Sequence, residues 1–152
     1  MRRSSYIDAL PEGIRAYIEH VKDVTSDGNC GYRAIADLLG YGEDAWIQVR
    51  KDLLQELNVH SVHYAHLFGY PERIEELRFA LSHFDVGFAP FHKWMSIPDM
   101  GHLIASRYSV VLFHLSVRQC LTFCPLRTQA VPTAARREIA IGFVNNNHYV
   151  EV

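Results

Sequence analysis

The hydrophobic period of this 152-residue chain changes at about residue 109, and that change limits the folds it can adopt. Up to Tyr108, apolar side chains recur every three or four residues, as they do on the buried face of a helix. From Ser109 onward, short runs rich in Val, Ile, Phe and Tyr are separated by turns, which is typical of strands. Helices followed by strands predict an α+β domain, with helices packed against a mostly antiparallel sheet.

Glycines and prolines divide the two parts into elements. The first predicted helix lies near Pro11 and places Ile14, Ile18 and Val21 on one face. Five further helices are predicted at 30–39, 44–58, 61–68, 71–84 and 99–108. Strands are predicted at 109–115, 120–124, 138–144 and 148–152, with a loop over 128–137. Neither an internal repeat nor a linker is visible, so residues 1–152 are predicted to form a single domain.

Charge and composition exclude several classes of protein. The formal net charge is −2, whereas nucleic-acid binders usually carry a basic excess or stripe. No apolar run approaches the roughly 20 residues that span a bilayer. Three cysteines are an odd number for a disulfide framework, and Asp8 and Glu12 stand where a secretory signal would be apolar. We therefore expect an intracellular protein, cytoplasmic or nuclear, without a nucleic-acid or membrane partner.

Three histidines with regular spacing raise the question of a metal site. His60, His63 and His66 are spaced i, i+3 and i+6 along a predicted helix. A zinc site usually takes ligands at i and i+4 together with a partner from elsewhere in the chain. The spacing therefore predicts no metal site.

The segment 27–33 (DGNCGYR) places a cysteine between a glycine-containing turn and a predicted helix. The partial positive charge at a helix N-terminus favours a thiolate, and backbone N–H groups of such a turn can hold an oxyanion. Gly28 and Gly31 would leave room for a substrate backbone. The alternative is that Cys30 is a small buried hydrophobe at the start of a helix.

The segment 145–149 (NNNHY) supplies a histidine at the start of the last predicted strand. A catalytic cysteine needs a histidine that is distant in sequence and adjacent in space. Because the chain has nine histidines, His148 alone is weak evidence, and the prediction depends on the two segments together.

The two segments together resemble the ovarian-tumour (OTU) family of cysteine deubiquitinases. The nucleophile motif of that family is Asp-Gly-Asn-Cys, then a small or apolar residue, an aromatic residue and Arg, and it stands complete at 27–33. The family's histidine typically precedes an aromatic residue on a C-terminal strand, as His148 does here. The resemblance covers nearly the whole chain. Segment 94–105 (WMSIPDMGHLIA) looks like the corresponding part of compact, transposon-associated members.

The resemblance implies a papain-type fold and a cysteine isopeptidase that cleaves after the C-terminal glycine of ubiquitin through a thioester on Cys30. His148 would deprotonate the thiol and later protonate the leaving amine. Asp27 would orient the turn that forms the oxyanion hole, whose residues are Gly28, Asn29 and Cys30. Arg33 is expected to make a structural ion pair, and no cofactor is implied.

The resemblance also implies a partner, namely ubiquitin, polyubiquitin or a ubiquitin-like modifier, bound by a monomeric enzyme. Two other functions stay open at this point. The chain could be a catalytically inactive OTU fold that only binds ubiquitin, or a cysteine protease for ordinary peptide bonds. The intact pair of Cys30 and His148 favours an active enzyme.

The residue that orients His148 is where the sequence departs from the family. The family often has Asp or Asn two positions after the histidine, but Val150 stands there and cannot accept a hydrogen bond. Asn146, two positions before, would share a face with His148 on an extended strand, so it is the predicted orienting residue. Three successive asparagines also fit a turn, and Asp23 is the second candidate.

Residues that could line a substrate channel are Gly31, Trp94 and Asn147. Trp94 is also the candidate for an aromatic ring beside the histidine, although a tryptophan is more often part of the core. An acidic cluster on one predicted helix, at 72, 75 and 76, is either a solvated face or a set of partners for the arginines in the tail of ubiquitin.

Overall fold

The computed structural model describes residues 5–128, 132 and 135–152. Two 3₁₀ helices, Ser5–Ala9 and Glu12–Tyr17, occupy the region of the first predicted helix. That prediction was wrong beyond Tyr17, because Ile18 is already extended and the chain then pairs with the last strand at Lys22. Half of the loop predicted over 128–137 lies outside the described residues, and its last residue, Arg137, begins a strand.

The other predicted helices form close to their expected positions. In chain order they are α1 (Cys30–Leu38), α2 (Trp46–Val59), α3 (Ser61–Phe68), α4 (Glu72–Leu81) and α5 (Asp99–Tyr108), with short 3₁₀ helices at Glu43–Ala45 and Phe91–Lys93. Helix α4 ends three residues before the predicted end. The side chain of Ser82 there accounts for the stop, because its hydroxyl donates to the carbonyl of Arg78 at 2.6 Å, which competes with a further turn.

Four strands form one sheet. They are β1 (Val110–Leu115), β2 (Leu121–Phe123), β3 (Arg137–Val144) and β4 (His148–Glu151), in the spatial order β2-β1-β3-β4. The pairs β1/β2 and β3/β4 are antiparallel, and the central pair β1/β3 is parallel. The predicted α+β class with a mostly antiparallel sheet is confirmed.

The main core lies between the helices and one face of this sheet. It includes Tyr32 and Ile35 of α1, Leu103 of α5, Leu112 of β1 and Ile141 of β3, all fully buried. On the other face, Ile7 and Leu10 from the first 3₁₀ helix and its end pack against Val144 and Val150. Because α1 packs directly against β4, the first residue of α1 and the first residue of β4 lie close together.

Two kinds of structure are absent from the described part of the chain, a membrane-spanning helix and a metal-binding cluster. None of its helices is both long and apolar enough to cross a bilayer. Within the same residues, no group of three or more His, Cys, Asp or Glu side chains is arranged to hold a metal ion.

Candidate active site

The cysteine segment folds as a tight loop against residues 89–94. Gly28 has a φ of +82°, in the left-handed region that favours glycine. A Cβ at this position would lie 2.2 Å from the carbonyl oxygen of Ala89 and 2.8 Å from Nε1 of Trp94. The N–H of Ala89 donates to the carbonyl of Asp27 at 2.8 Å. Glycine is therefore needed at position 28 so that the loop can approach this segment.

The Asp27 carboxylate holds the turn in place. It accepts the N–H of Asn29 at 3.0 Å and the Arg33 guanidinium at 2.7 Å. Burial raises the pKa of Asp27, but the hydrogen bonds from Arg33 and Asn29 outweigh burial and hold that pKa below its usual value. Arg33 also contacts Asp44 at 3.2 Å. Asp27 thus caps and orients the turn, and Arg33 makes the expected structural ion pair.

Besides Asp27, Arg50 on α2 also holds the loop before Cys30, a contact that the sequence did not predict. Its side chain is fully buried and donates twice to Oδ1 of Asn29, at 3.1 and 2.7 Å. It also donates to the carbonyls of Ala80 and Lys93, both at 2.9 Å, and stacks over the ring of Tyr32 at 4.0 Å. One guanidinium therefore joins the cysteine loop, the end of α4 and the 3₁₀ helix at Phe91–Lys93.

We predict that Arg50→Met destabilises the protein by about 3 kcal/mol, because three buried oxygens lose their donor at about 1 kcal/mol or more each. Urea denaturation of the variant measures this loss. Lys51→Met is the matched control, since Lys51 is the next residue along α2 and is exposed. Equal stability of the two variants would show that Arg50 does not hold the loop.

Cys30 is the first residue of α1 and is 5% exposed. The backbone N–H of Tyr149, the residue after His148, points at Sγ of Cys30 across 3.4 Å. An N–H donor in this position stabilises negative charge on the sulfur. The helix start and the strand start thus meet at the thiol, as the two sequence segments predicted.

His148 is 4% exposed, and its ring is held from one side. Nε2 lies 2.7 Å from Oδ1 of Asp23, and because a carboxylate only accepts hydrogen bonds, Nε2 carries the proton. Nδ1 is buried and has no hydrogen-bond partner among the described residues. The side chain of Cys30 is the main cause that raises the pKa of His148 to about 9, Asp23 adds to it, and burial opposes both.

The raised pKa predicts a titration that NMR of the His148 ring can follow. We expect a midpoint near pH 9, which falls toward the ordinary 6.5 in Cys30→Ala and falls less in Asp23→Ala. The protonated ring stabilises the fold, so this contribution is complete below pH 6.5 and is lost as the pH rises through 9. An unchanged midpoint in Cys30→Ala would mean that the thiol and the imidazole do not interact.

The prediction for Asn146 needs correction. Asn145 and Asn146 both have left-handed backbones, with φ of +55° and +58°, and they form the turn between β3 and β4. The strand is therefore not extended before His148, and the argument that Asn146 shares a face with His148 does not hold. Asn146 is exposed, and the carboxylate at the histidine ring belongs to Asp23, the second candidate.

Asp23 reaches the ring because its segment pairs with β4. Lys22 and Glu151 form an antiparallel bridge with two backbone hydrogen bonds of 3.0 Å each. Oδ1 of Asp23 also accepts the N–H of Val24 at 2.8 Å, which fixes its side chain. The only hint of this in the sequence was an acidic residue shortly before the cysteine loop.

The predicted oxyanion loop is only partly available. The N–H of Asn29 is occupied by Asp27. The N–H groups of Gly28 and Cys30 make no hydrogen bond to any described residue. The N–H of Cys30, at the start of α1, therefore stays the candidate for binding an oxyanion, and Asn29 instead anchors the loop through Arg50.

The three channel candidates have different surroundings. Gly31 is a packing position, because a Cβ there would lie 2.9 Å from Cβ of Met95 and 3.2 Å from Cδ2 of Tyr149. Asn147 is exposed in the turn before His148. Trp94 donates Nε1 to the carbonyl of Ala89 at 3.1 Å, and the ring found beside His148 is that of Tyr6, at 5.6 Å between centroids.

A pocket of about 490 Å³ lies next to the site. Trp94 and Tyr149 line it together with other apolar side chains, among them Phe79, Phe91, Met95 and Phe143. Of the acidic cluster on α4, Glu76 lines this pocket, where it pairs with Arg73 at 2.8 Å. A hollow of about 620 Å³ lies elsewhere, against β1 and β3, and none of the site residues line it.

Comparison with solved structures identifies the fold. The OTU domain of OTUD1 superimposes with a TM-score of 0.64 at 16% identity, covering 92% of this chain and 89% of that one. The viral OTU domain proteases of Farallon virus and Qalyub virus both give 0.59, at 21% and 14% identity, each covering 87% of this chain and 82% of the other. The chain has the OTU-domain fold.

The similarity to OTU domains is detected by comparing structures and not by comparing sequences. No protein-family model matches the sequence, and no curated protein matches it. The two short motifs and the order of helices and strands therefore pointed to an OTU fold that whole-sequence comparison does not detect. The narrower resemblance of segment 94–105 to transposon-associated OTU domains stays a prediction.

Proposed function

We propose that this chain is a cysteine isopeptidase, a deubiquitinase that hydrolyses the bond after the C-terminal glycine of ubiquitin. The observation that carries the proposal is the arrangement at the thiol. Cys30 begins α1 and receives an N–H from Tyr149 at 3.4 Å, while Asp23 holds the neighbouring imidazole through Nε2 at 2.7 Å. The OTU fold, which the match to OTUD1 covers over 92% of this chain, supports the same assignment.

The acylation step follows from these positions. The thiolate of Cys30 attacks the glycine carbonyl carbon, forming the C–S bond, and the carbonyl electrons move to oxygen. The N–H of Cys30 is placed to bind that oxyanion. As the C–N bond breaks, imidazolium His148 gives its Nδ1 proton to the leaving lysine amine. Its raised pKa keeps the ring protonated at neutral pH.

Deacylation uses the same groups in reverse. Neutral His148 takes a proton from water, and the hydroxide attacks the thioester carbonyl. The C–S bond then breaks, which releases ubiquitin as the carboxylic acid and restores the thiolate–imidazolium pair. The released acid gives its remaining proton to solvent. Asp23 keeps the proton on Nε2 throughout, so that Nδ1 alone exchanges protons. No cofactor takes part in either step.

The pocket beside the site supports a peptide tail as substrate. Its aromatic lining from Trp94, Phe91 and Tyr149 suits an extended segment that ends at the thiol. Glu76 lines the same pocket, and its carboxylate is placed to meet a basic side chain of the tail. We propose ubiquitin, polyubiquitin or a ubiquitin-like modifier as the partner, acted on by one monomeric catalytic domain in the cytoplasm or nucleus.

An inactive OTU fold that binds ubiquitin is the second candidate, and one observation favours it. Cys30 is only 5% exposed, so a substrate carbonyl reaches it only if the neighbouring side chains move. Such burial fits a catalytic thiol whose neighbouring side chains move when substrate binds, and it equally fits a thiol that only packs in the core.

An electrophilic probe on the C-terminus of ubiquitin separates the candidates. We expect a covalent adduct at Cys30, detected by intact mass and peptide mapping. Ubiquitin binding without an adduct would support the inactive fold, and an adduct with simple peptide electrophiles but not with the ubiquitin probe would support an ordinary peptidase. Turnover of a panel of diubiquitin linkages then defines the preferred substrate.

A further inference from the structure

Lys22, Asp37 and Glu151 form a charged cluster behind the site. Lys22 Nζ donates to Oδ2 of Asp37 at 2.6 Å, and the backbones of Lys22 and Glu151 exchange two hydrogen bonds of 3.0 Å. Asp37 lies in the last turn of α1, the helix that begins with Cys30. The cluster therefore joins the three segments that supply the thiol, the imidazole and the orienting carboxylate.

The direction of β4 explains why Glu151 belongs to this cluster. Residues two apart on a strand share a face, so Glu151 shares a face with Tyr149. Tyr149 packs against Gly31 at the start of α1, and the carboxyl group of Glu151 interacts with that of Asp37 near the end of the same helix. Glu151 is 7% exposed, and its Oε2 has no hydrogen-bond partner in the described part of the chain.

We propose that Lys22, Asp37 and Glu151 are positioning residues, which bind the segment of Asp23 to β4 and α1 and so keep its carboxylate on His148. This inference rests on the proposed function, in which His148 moves the proton. The Asp23 side chain is 56% exposed and is fixed relative to its own backbone by the N–H of Val24, so the position of that backbone decides whether the carboxylate reaches His148. That backbone is held through the preceding residue, Lys22, which bonds to the backbone of Glu151 and to the carboxylate of Asp37.

The cluster also makes this positioning depend on pH. Burial is the main cause that raises the pKa of Glu151 to about 8, and the carboxylates of Asp37 and Glu43 add to it, while Lys22 opposes them. The pKa of Asp37 is lowered, mainly by its hydrogen bond from Lys22. At neutral pH the two carboxyl groups therefore share one proton, and Lys22 balances the single charge.

Above pH 8 this balance fails. Ionised Glu151 then repels Asp37 and Glu43. The nearby cations are Lys22 and Arg33, and the guanidinium of Arg33, 3.7 Å from Glu43, already pairs with Asp27. Because the pKa of Glu151 is raised, its stabilising protonation is complete below the ordinary value of 4.5 and is lost as the pH rises through 8. The frame around His148 thus weakens as Glu151 loses its proton.

NMR of the His148 ring tests this coupling without any substrate. We expect the ring shifts of the wild-type chain to show a step from the ionisation of Glu151, whose pKa is raised to about 8, beside the titration of the ring itself, and we expect that step to vanish in Glu151→Gln, which stays neutral. Glu138→Gln is the control, because Glu138 is an exposed carboxylate of β3. A step that persists in Glu151→Gln, or is absent in the wild type, overturns the proposal.

Lys22→Met tests the positioning itself. Because the Lys22 side chain is 57% exposed, we expect the variant to stay folded, which a melting curve checks. We expect kcat to fall about tenfold with KM unchanged, Lys22→Arg to restore it, and Lys51→Met to have no effect. A kcat of Lys22→Met within twofold of wild type overturns the proposal. If the wild type cleaves no ubiquitin conjugate, the proposed function fails, whereas the ring titration still decides this inference.

Discussion

Replacing Cys30 by alanine should abolish both labelling by the ubiquitin probe and turnover of ubiquitin conjugates. The expected loss in kcat is on the order of 10⁶-fold, the scale seen when a hydrolase loses its nucleophile. No other described thiol can take over, because Cys120 and Cys124 flank the two ends of β2, away from His148. The fold should survive, since the change removes one buried sulfur atom at the first residue of α1 and leaves the helix backbone unchanged.

Cys120→Ser and Cys124→Ser are the matched controls. Both thiols are exposed, so small alkylating agents will modify them and do not discriminate between a reactive and an accessible cysteine. The ubiquitin probe does discriminate, because its electrophile is delivered by the bound tail. Undiminished labelling of the Cys30→Ala chain would remove Cys30 as the nucleophile.

Asp23→Ala should lower kcat by about 10³-fold with little change in KM. Without the carboxylate, the imidazole of His148 loses the bond that fixes both its tautomer and its orientation, and losses of about this size follow when one such preorganised contact is removed. Steady-state kinetics on a ubiquitin substrate measures the effect. A melting temperature close to wild type is expected, because the side chain of Asp23 is largely exposed.

Asn146→Ala is the variant to compare with Asp23→Ala, because Asn146 is the other residue considered for orienting His148. Its backbone is left-handed and the residue is exposed, so we expect kcat within about twofold of wild type, near the size of an ordinary surface change. The reverse order of the two variants would return the orienting role to Asn146. Near-wild-type rates for both would mean that Cys30 and His148 act as a dyad.

The elements that the sequence predicted well are those whose pattern is local. The apolar stripe Trp46, Val49, Leu53 and Leu57 is buried on α2 as expected, and the glycine turn before Cys30 does start a helix. Local patterns also defined the strands, because alternation and β-branched residues need no knowledge of partners. The same reasoning predicted a helix beyond Tyr17, where pairing with β4 overrides the local pattern.

The contacts that the sequence did not predict depend on distant pairings. Asp23 meets His148 because Lys22 pairs with Glu151, and no periodicity within either segment indicates that register. Arg50 did leave a signal, since it interrupts the apolar stripe of α2 on its buried side. A charged residue in such a stripe must find partners in the core, and here its partner is Asn29 in the loop before Cys30.

The bond between Asp23 and His148 joins residues 125 positions apart in the chain, which has a consequence for when the protein becomes reactive. During synthesis from the N-terminus, Cys30 leaves the ribosome long before β4 exists, and contacts of such high separation form late in folding. Until β4 has formed, the thiol therefore has neither the imidazole of His148 nor the N–H of Tyr149 beside it. Under the proposed function, a growing chain that lacks β4 is inert, and cleavage begins only once this strand has paired.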